Sequence, residues 1–200
     1  NTDDELEVVK NYIKVQQIIN KQDGNKLRFL KTHSTLNDIN GYKFTDLNNS
    51  LGVIYIVRDP RNIIRSFANH SQITLEEAKQ NLLNVKILGG KNDPLNKSTV
   101  HMGSWSSNFK SWKEFKKVNK YLLIKFEDLI SQPAKVFRLI LNFVHELTKT
   151  QLDIDDIKLK NTIKTTSFEY LRDLEEKENF SESATQSQKK YVKFFKYGDK

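Results

Sequence analysis

The sequence has no cysteine, three prolines and seven glycines among its 200 residues. The lack of cysteine excludes a disulfide scaffold and any metal site built on thiolates, and it fits a reducing compartment. No apolar run reaches the roughly 18 residues that a membrane-spanning helix requires. The first ten residues, NTDDELEVVK, are acidic where a secretion signal would be basic and then apolar. We therefore expect a cytoplasmic protein without a membrane span.

Charge, in contrast, is abundant. The 33 Lys and Arg residues outnumber the 25 Asp and Glu residues, and the net charge of +8 favours anionic ligands such as nucleotides, sulfated compounds or nucleic acid. The lysines are dispersed among acidic residues, as on an ordinary solvated surface, so we expect no nucleic-acid partner. With 37% hydrophobic residues, including 12 Phe, the chain can bury one core, and we expect a single domain over residues 1–200.

Hydrophobic periodicity predicts helices that alternate with short strands. Three apolar runs predict strands: LRFLK (27–31), GVIYIV (52–57) and YLLIKF (121–126). Helices are predicted from residue 6, after Asp59, after Thr74, over the aromatic stripe of WSSNFKSWKEF, over PAKVFRLILNFVHEL, and near 154–164 and 167–177. The stretch 88–103 is predicted to be a long loop and a candidate lid. This order predicts an α/β protein, a three-layer parallel sheet flanked by helices.

The stretch YIVRDPRNIIRS (55–66) joins a predicted strand to a predicted helix through charged residues. Asp59 is expected at the helix N-cap and Pro60 at the first helical position. Ligands of parallel sheets bind at the carboxyl ends of strands, where the next helix presents unpaired N–H groups, so Arg58 and Ser66 could hold an anion. The alternative is that Arg58 and Asp59 merely pair with each other, and these residues alone support both interpretations equally.

A second basic cluster, RFLKTH (28–33), places Lys31 and His33 at the end of another predicted strand. Histidine titrates near neutral pH and is a natural general base, and lysine can neutralise charge on a transferred group. A lone histidine at a strand end is more often structural, but two basic strand ends in one small sheet favour a shared site. We expect the side chains of His33 and Arg58 to project from one rim of the sheet, roughly ten ångströms apart.

Six blocks of the sequence, in this order, resemble the sulfotransferases that use 3′-phosphoadenosine 5′-phosphosulfate (PAPS), and are closest to bacterial members related to the cytosolic enzymes. The blocks are RFLKTH, VIYIVRDPRNIIRSFANH, GSWSSNFKSW, YLLIKFEDL, TTSFEYLRDLEEKENF and FFKYG, and they extend from about residue 28 to residue 198. The resemblance implies the P-loop NTPase-like sulfotransferase fold, with PAPS and its product PAP (adenosine 3′,5′-bisphosphate) as cofactors. It also implies transfer of a sulfuryl group to a hydroxyl or amine of a small-molecule or glycan acceptor. No metal is expected, and a homodimer is left open.

The same resemblance assigns roles to individual residues. His33 matches the family's catalytic base, and Lys31 matches the lysine that stabilises the sulfuryl group and its bridging oxygen. Arg58 and Ser66 match the pair that grips the 3′-phosphate of the cofactor. The other matches to cofactor-binding positions are Phe126, Thr166, Phe168, Lys196 and Gly198.

The sequence departs from the family pattern at several places. Phe126 stands where many members have a tyrosine, and Lys196 is followed by Tyr197 where the family has Arg-Lys, so bidentate recognition of a phosphate is weakened. The family's N-terminal phosphosulfate-binding loop and its C-terminal Gly-Asp-Trp block are not found, so we expect a domain truncated at both ends. A non-catalytic nucleotide- or phosphate-binding module of the same fold is therefore the alternative function.

Overall fold

The computed structural model describes residues 5–22, 24, 26–84, 87–88, 99–151, 153–178 and 193–196. The chain divides into two compact units. Unit 1 comprises Asn1–Tyr55 and Asn81–Leu122, and unit 2 comprises Ile56–Gln80 and Leu123–Lys200. The single domain expected over residues 1–200 stays a prediction.

Helices account for most of the regular structure in the described residues. They are α1 (Glu5–Lys10), α2 (Tyr12–Gln22), α3 (Pro60–Ser71), α4 (Leu75–Leu83), α5 (Trp105–Trp112), α6 (Phe126–Ser131), α7 (Pro133–Thr148), α8 (Asp156–Thr165) and α9 (Phe168–Glu178). A 3-10 helix, Lys113–Val118, follows α5 directly. The helices predicted from hydrophobic periodicity are confirmed, with shifts of a few residues at their ends.

The strands are short and form three pairs in the described part of the chain. They are β1 (Asp38–Ile39), β2 (Tyr42–Lys43), β3 (Val53–Val57), β4 (Ile87–Leu88), β5 (Val100–His101) and β6 (Tyr121–Lys125). The pairs β1–β2 and β4–β5 are antiparallel, and β3 pairs with β6 in a parallel sheet flanked by helices. The connection from β3 to β6 contains helices, as a parallel pair requires. The predicted α/β class is confirmed.

Local capping explains where several helices begin. The Asp59 side chain accepts a hydrogen bond from the backbone N–H of Arg61 at 2.9 Å, and Pro60 is the first residue of α3. At the start of α4, the Thr74 N–H donates to Glu77 and the Glu77 N–H donates to Thr74, a capping box. Each cap satisfies N–H groups that the helix leaves unpaired, so these boundaries follow from residues a few positions apart.

Each unit has its own buried residues. In unit 1 the buried apolar residues are Val9, Trp112 and Phe115. The Trp112 ring lies 6.1 Å from the Phe115 ring and 6.1 Å from the Phe44 ring. In unit 2 the buried apolar residues are Ala68, Ala78, Ile124, Val136 and Leu159. The aromatic stripe of α5 and the following 3-10 helix therefore contributes to the core, as predicted.

The structure differs from two of the sequence predictions. The run LRFLK was predicted to be a strand, but residues 26–33 form none, and Leu27, Phe29 and Leu30 are 47%, 67% and 64% exposed. Strand propensity needs a neighbouring strand to complete the hydrogen-bonded ladder, and no strand of the described residues pairs with this run. The predicted loop at 88–103 includes strand β5, which pairs with β4. Residues 89–98 lie outside the described residues, and the lid stays a prediction.

Among the described residues, none of the helices is both long enough and apolar enough to cross a membrane.

Candidate functional site

Arg58 lies immediately after β3 and before Asp59, the N-cap of α3. Its guanidinium carbon lies 4.5 Å from the centroid of the Phe126 ring, and Phe126 is the first residue of α6 after β6. A guanidinium over an aromatic face makes a cation–π contact. Arg58 and Phe126 therefore meet at the carboxyl ends of the two parallel strands.

The neighbouring Asp59 is engaged by Arg61. The Arg61 guanidinium and backbone N–H both donate to the Asp59 carboxylate, and these two hydrogen bonds lower the pKa of Asp59 to about 2. The Asp59 N–H donates to Glu127 Oε1 at 3.1 Å. Asp59 therefore bonds to Arg61, while Arg58 lies over the Phe126 ring, and the role of Arg58 in binding an anion stays a prediction.

An acidic side chain, Glu127, lies near the Arg58 cation. Backbone hydrogen bonds from Glu127 itself and from Asp59 lower the pKa of Glu127, and the positive charge of Arg58 lowers it further. An anion bound by Arg58 would have to share this cation with a carboxylate.

The two hydroxyl groups predicted to contact the cofactor are both turned back onto their own helices. Ser66 Oγ donates to the Ile63 carbonyl at 2.9 Å, and Thr166 Oγ1 donates to the Thr162 carbonyl at 2.7 Å. Either hydroxyl oxygen can still accept a hydrogen bond, but donation to a phosphate would require the hydroxyl to rotate.

Residues 193–196 bring Lys196 to helix α3. Lys196 Nζ lies 3.4 Å from Asn69 Oδ1, and Asn69 Nδ2 donates to the Lys193 carbonyl at 3.4 Å. Asn69 follows Ser66 by three residues, so the two side chains lie on the same face of α3. The predicted cofactor residues Lys196 and Ser66 are therefore brought to one helix face. Gly198 lies outside the described residues.

Phe168, the first residue of α9, packs against the same segment. The Phe168 ring lies 5.9 Å from the Phe195 ring, and the Arg172 guanidinium carbon lies 6.0 Å from the centroid of the Phe168 ring. The Phe194 ring in turn lies 5.6 Å from the His70 ring. These ring contacts connect the segment to α3 and α9.

The carboxyl group that holds this segment, Glu175, was not found by sequence reasoning. Glu175 is 3% exposed, and its two oxygens accept the backbone N–H groups of Phe194 at 2.6 Å and Phe195 at 2.9 Å. The partners are 19 and 20 residues away in the sequence. No local pattern in EYLRDLEEKE distinguishes this glutamate from its exposed neighbours.

In unit 1, Lys31 and His33 lie on the exposed, non-strand run 26–33. The His33 carbonyl accepts from Asn108 Nδ2 at 3.1 Å, and the Ser34 carbonyl accepts from the Trp112 indole N–H at 3.0 Å. Helix α5 therefore holds the backbone at residues 33 and 34, while the side chain of His33 is exposed to solvent.

The side chain of Asn108 makes several of these contacts, and it was not identified from the sequence. Its Oδ1 accepts the Tyr55 hydroxyl at 2.9 Å, and its Nδ2 also donates to the Met102 carbonyl at 2.8 Å. One amide thus links strand β3 to the backbone of His33. The sequence feature that pointed to this contact is Trp112. A buried indole N–H needs an acceptor, and here the acceptor is the carbonyl of Ser34, the residue after His33.

Burial raises the pKa of Tyr55 to about 12, with a smaller electrostatic contribution from the neighbouring Tyr121. The two rings are stacked with centroids 6.2 Å apart. The Tyr55 hydroxyl is therefore protonated at neutral pH and available as a donor to Asn108.

Gly103 allows the start of α5 to approach the residues after His33. Its φ is +67°, and a Cβ atom there would lie 2.6 Å from Ser107 Oγ and 2.7 Å from Thr35 Cγ2. Both the left-handed backbone and the lack of space require glycine at this position.

Comparison with known proteins decides the family. The family model described as "Sulfotransferase domain" matches residues 5–200. The chain belongs to the sulfotransferase domain family. Membership implies the α/β, P-loop-like sulfotransferase fold, as the sequence resemblance predicted. A solved structure of mouse sulfotransferase SULT7A1 complexed with PAP matches with 22% identity and a TM-score of 0.42, covering 60% of this chain and 40% of that chain. The chain therefore spans less than half of that sulfotransferase.

The residues predicted for the sulfotransferase site divide between the two units. Lys31 and His33 lie in unit 1. The predicted cofactor residues described in unit 2 are Arg58, Ser66, Phe126, Thr166, Phe168 and Lys196. The roles of these residues and the spacing between His33 and Arg58 stay predictions. In the described part of the chain, no three His, Asp or Glu side chains are grouped so that they could hold a metal ion.

Proposed function

We propose that this chain binds PAPS and transfers its sulfuryl group to a hydroxyl or amine of a small-molecule or glycan acceptor. The observation that carries the proposal is the position of Arg58, which follows a parallel strand, lies over the Phe126 ring and adjoins the start of α3. A cation at this point of an α/β sheet, beside a helix N-terminus, is suited to a phosphate group. The family match over residues 5–200 supports the same class of reaction.

The described residues of unit 2 have the chemistry that an anionic purine nucleotide requires. Arg58 and Lys196 supply positive charge, and Ser66 supplies a hydroxyl on the α3 face that Lys196 reaches through Asn69. Phe126 and Phe168 supply aromatic surface. Charge-assisted hydrogen bonds would hold the phosphates, and ring contacts would hold the base.

The proposed mechanism depends on positioning and charge stabilisation. When bound at Arg58, Ser66 and Lys196, PAPS would supply the sulfuryl group for the acceptor, and PAP would be the leaving group. In this proposal His33 removes the proton from the acceptor hydroxyl or amine, and its exposure permits this exchange. Lys31 provides an ammonium that stabilises negative charge on the transferred group, while Arg58, Ser66 and Lys196 bind the 3′-phosphate.

A non-catalytic binding module is the second candidate, and one observation favours it. Arg58 is held by a ring contact, whereas Lys31 and His33 lie on a run that does not form the predicted strand. Nucleotide binding could therefore persist without transfer.

Two measurements on the full chain separate these functions. Calorimetry with PAP measures binding, and transfer from ³⁵S-labelled PAPS to a panel of a phenol, an aliphatic alcohol and an amine measures catalysis. Binding with transfer supports the sulfotransferase, and binding without transfer to any acceptor supports the module. An absence of PAP binding would contradict both. Adenosine 5′-monophosphate, which lacks the 3′-phosphate, is the matched control ligand.

This proposal includes a cytoplasmic location and leaves a homodimer open. Fractionation of cells expressing the natural protein and its mass in solution by light scattering would test them.

A further inference from the structure

Glu175 is a buried acidic side chain with an unusual pair of partners. It lies on α9 and is 3% exposed, and its two carboxyl oxygens accept the N–H groups of two consecutive residues, Phe194 and Phe195. A buried carboxylate whose two oxygens accept consecutive backbone N–H groups constrains the path of the segment that carries them, and hydrogen bonds to a charged acceptor are the stronger kind. Glu175 therefore fixes the backbone of residues 194 and 195.

The next residue in the chain is Lys196. Because its backbone follows directly from Phe195, its side chain departs from a position that Glu175 determines. Lys196 Nζ lies 3.4 Å from Asn69 Oδ1, and Asn69 Nδ2 donates to the Lys193 carbonyl at 3.4 Å. The segment is thus attached to α3 through Asn69 and to α9 through Glu175.

Ring contacts support the same position. Phe195 lies against Phe168 at 5.9 Å, and Phe194 lies against His70 at 5.6 Å. The exposed pair Lys193 and Glu176, 2.8 Å apart, adds a further link to α9. Exposed ion pairs of this kind contribute little, so the buried Glu175 is the principal polar attachment to α9 among the described residues.

We propose that Glu175 is a positioning residue of the nucleotide site, which holds residues 194 and 195 so that the Lys196 ammonium reaches the α3 face carrying Ser66. There Lys196 binds the 3′-phosphate. This inference rests on the proposed function, since it requires that the nucleotide binds at this face. Glu175 itself does not contact the ligand.

The test compares Glu175→Gln, Lys196→Gln, the double variant and the control Glu176→Gln in the full chain. Glutamine at 175 keeps one acceptor but places an amide NH₂ against the second backbone N–H. Calorimetry should show that E175Q weakens PAP binding about tenfold, the size expected for a lost charge-assisted hydrogen bond, and changes AMP binding less than about twofold. The E176Q control should bind PAP within about twofold of the wild-type chain.

The double variant tests whether Glu175 acts through Lys196. If it does, E175Q combined with K196Q should bind PAP within about twofold of K196Q alone, because the two substitutions remove one interaction. Fully additive losses would overturn the inference. So would an E175Q chain that binds PAP like wild type, or one that loses PAP and AMP binding equally.

Amide exchange on the wild-type chain provides a measurement that needs no variant, should E175Q fail to fold. PAP should slow hydrogen exchange of the Phe194 and Phe195 amides, and unchanged exchange on binding would overturn the inference. If the wild-type chain does not bind PAP at all, the proposed function fails, and that outcome is distinct from normal wild-type binding with an unaffected E175Q.

Discussion

The two compact units hold their predicted site residues in different ways. In unit 1, Asn108 and Trp112 bind the backbone carbonyls of residues 33 and 34, and the His33 side chain is left exposed. In unit 2, the side chain itself is supported, because the Arg58 guanidinium lies over the Phe126 ring. A general base must exchange its proton with acceptor and solvent, whereas a cation that grips an anion gains from being ordered beforehand. The difference matches the two proposed roles.

The largest difference between the two units is expected for His33→Gln. Loss of the general base should reduce turnover by about 10² to 10⁴-fold, while the affinity for PAP changes less than about twofold. Initial rates and calorimetry measure the two effects. His145→Gln is the control, since His145 lies at the end of α7 and its imidazole bonds to Thr150. A parallel loss of PAP affinity in H33Q would show that the two roles are not separated.

Arg58→Ala should produce the reverse pattern. Removing the guanidinium should weaken PAP binding by about 10 to 100-fold, with a smaller change in turnover at saturating PAPS. Arg58→Lys should be intermediate, because lysine keeps the charge and loses the planar fork. Arg138→Ala, which removes an exposed arginine paired with Asp156, is the control. An R58A chain with normal PAP affinity would refute the anion site.

Asn108→Ala tests whether the backbone contact in unit 1 matters for catalysis. Without the amide, the Tyr55 hydroxyl and the His33 carbonyl lose a partner, so the free energy of unfolding should fall by about 1 to 3 kcal/mol. Turnover should fall by about tenfold because the base is less well positioned, with PAP affinity unchanged. Urea denaturation and steady-state kinetics measure these effects. Ser106→Ala, an exposed change on α5, is the control, and normal turnover in N108A would contradict the proposed positioning.

The smallest effect concerns alkaline pH. The pKa of Tyr55 is raised from 10.0 to about 12, so the folded chain favours its protonated form. The resulting contribution to stability is complete below pH 10 and is lost as the pH rises through 12. Thermal melting between pH 9 and pH 12 should show this loss, and Tyr55→Phe should reduce it while costing about 1 kcal/mol at neutral pH for the lost hydrogen bond. An identical pH dependence in both chains would contradict the assignment.

Features that depend on near neighbours were predictable from the sequence. The Asp59 cap, the Thr74–Glu77 capping box and the amphipathic helix α7 each involve residues within a few positions of one another. Strand β3 was predictable because a short run of β-branched and apolar residues is typical of a parallel strand. Arg58 followed from these elements, because its position between a strand and a helix cap was already defined.

Features that depend on distant partners were not predictable in the same way. LRFLK has the composition of a strand, yet residues 26–33 form none, because a strand requires a neighbour that the run itself cannot specify. Asn108 contacts residue 33, 75 positions away, and Glu175 contacts residues 19 and 20 positions away. An asparagine or glutamate has the same appearance in the sequence whether it is exposed or holds such a contact.

By itself, the sequence determined the helices and their caps, the apolar strand β3 and the chemical groups available for an anionic ligand, because these depend on composition and on spacings of a few residues. Tertiary structure alone decided that Arg58 lies over Phe126, that Asn108 holds the backbone of His33 and that Glu175 holds the segment before Lys196. Those contacts arise only when packing brings distant parts of the chain together and buried polar groups must find partners there.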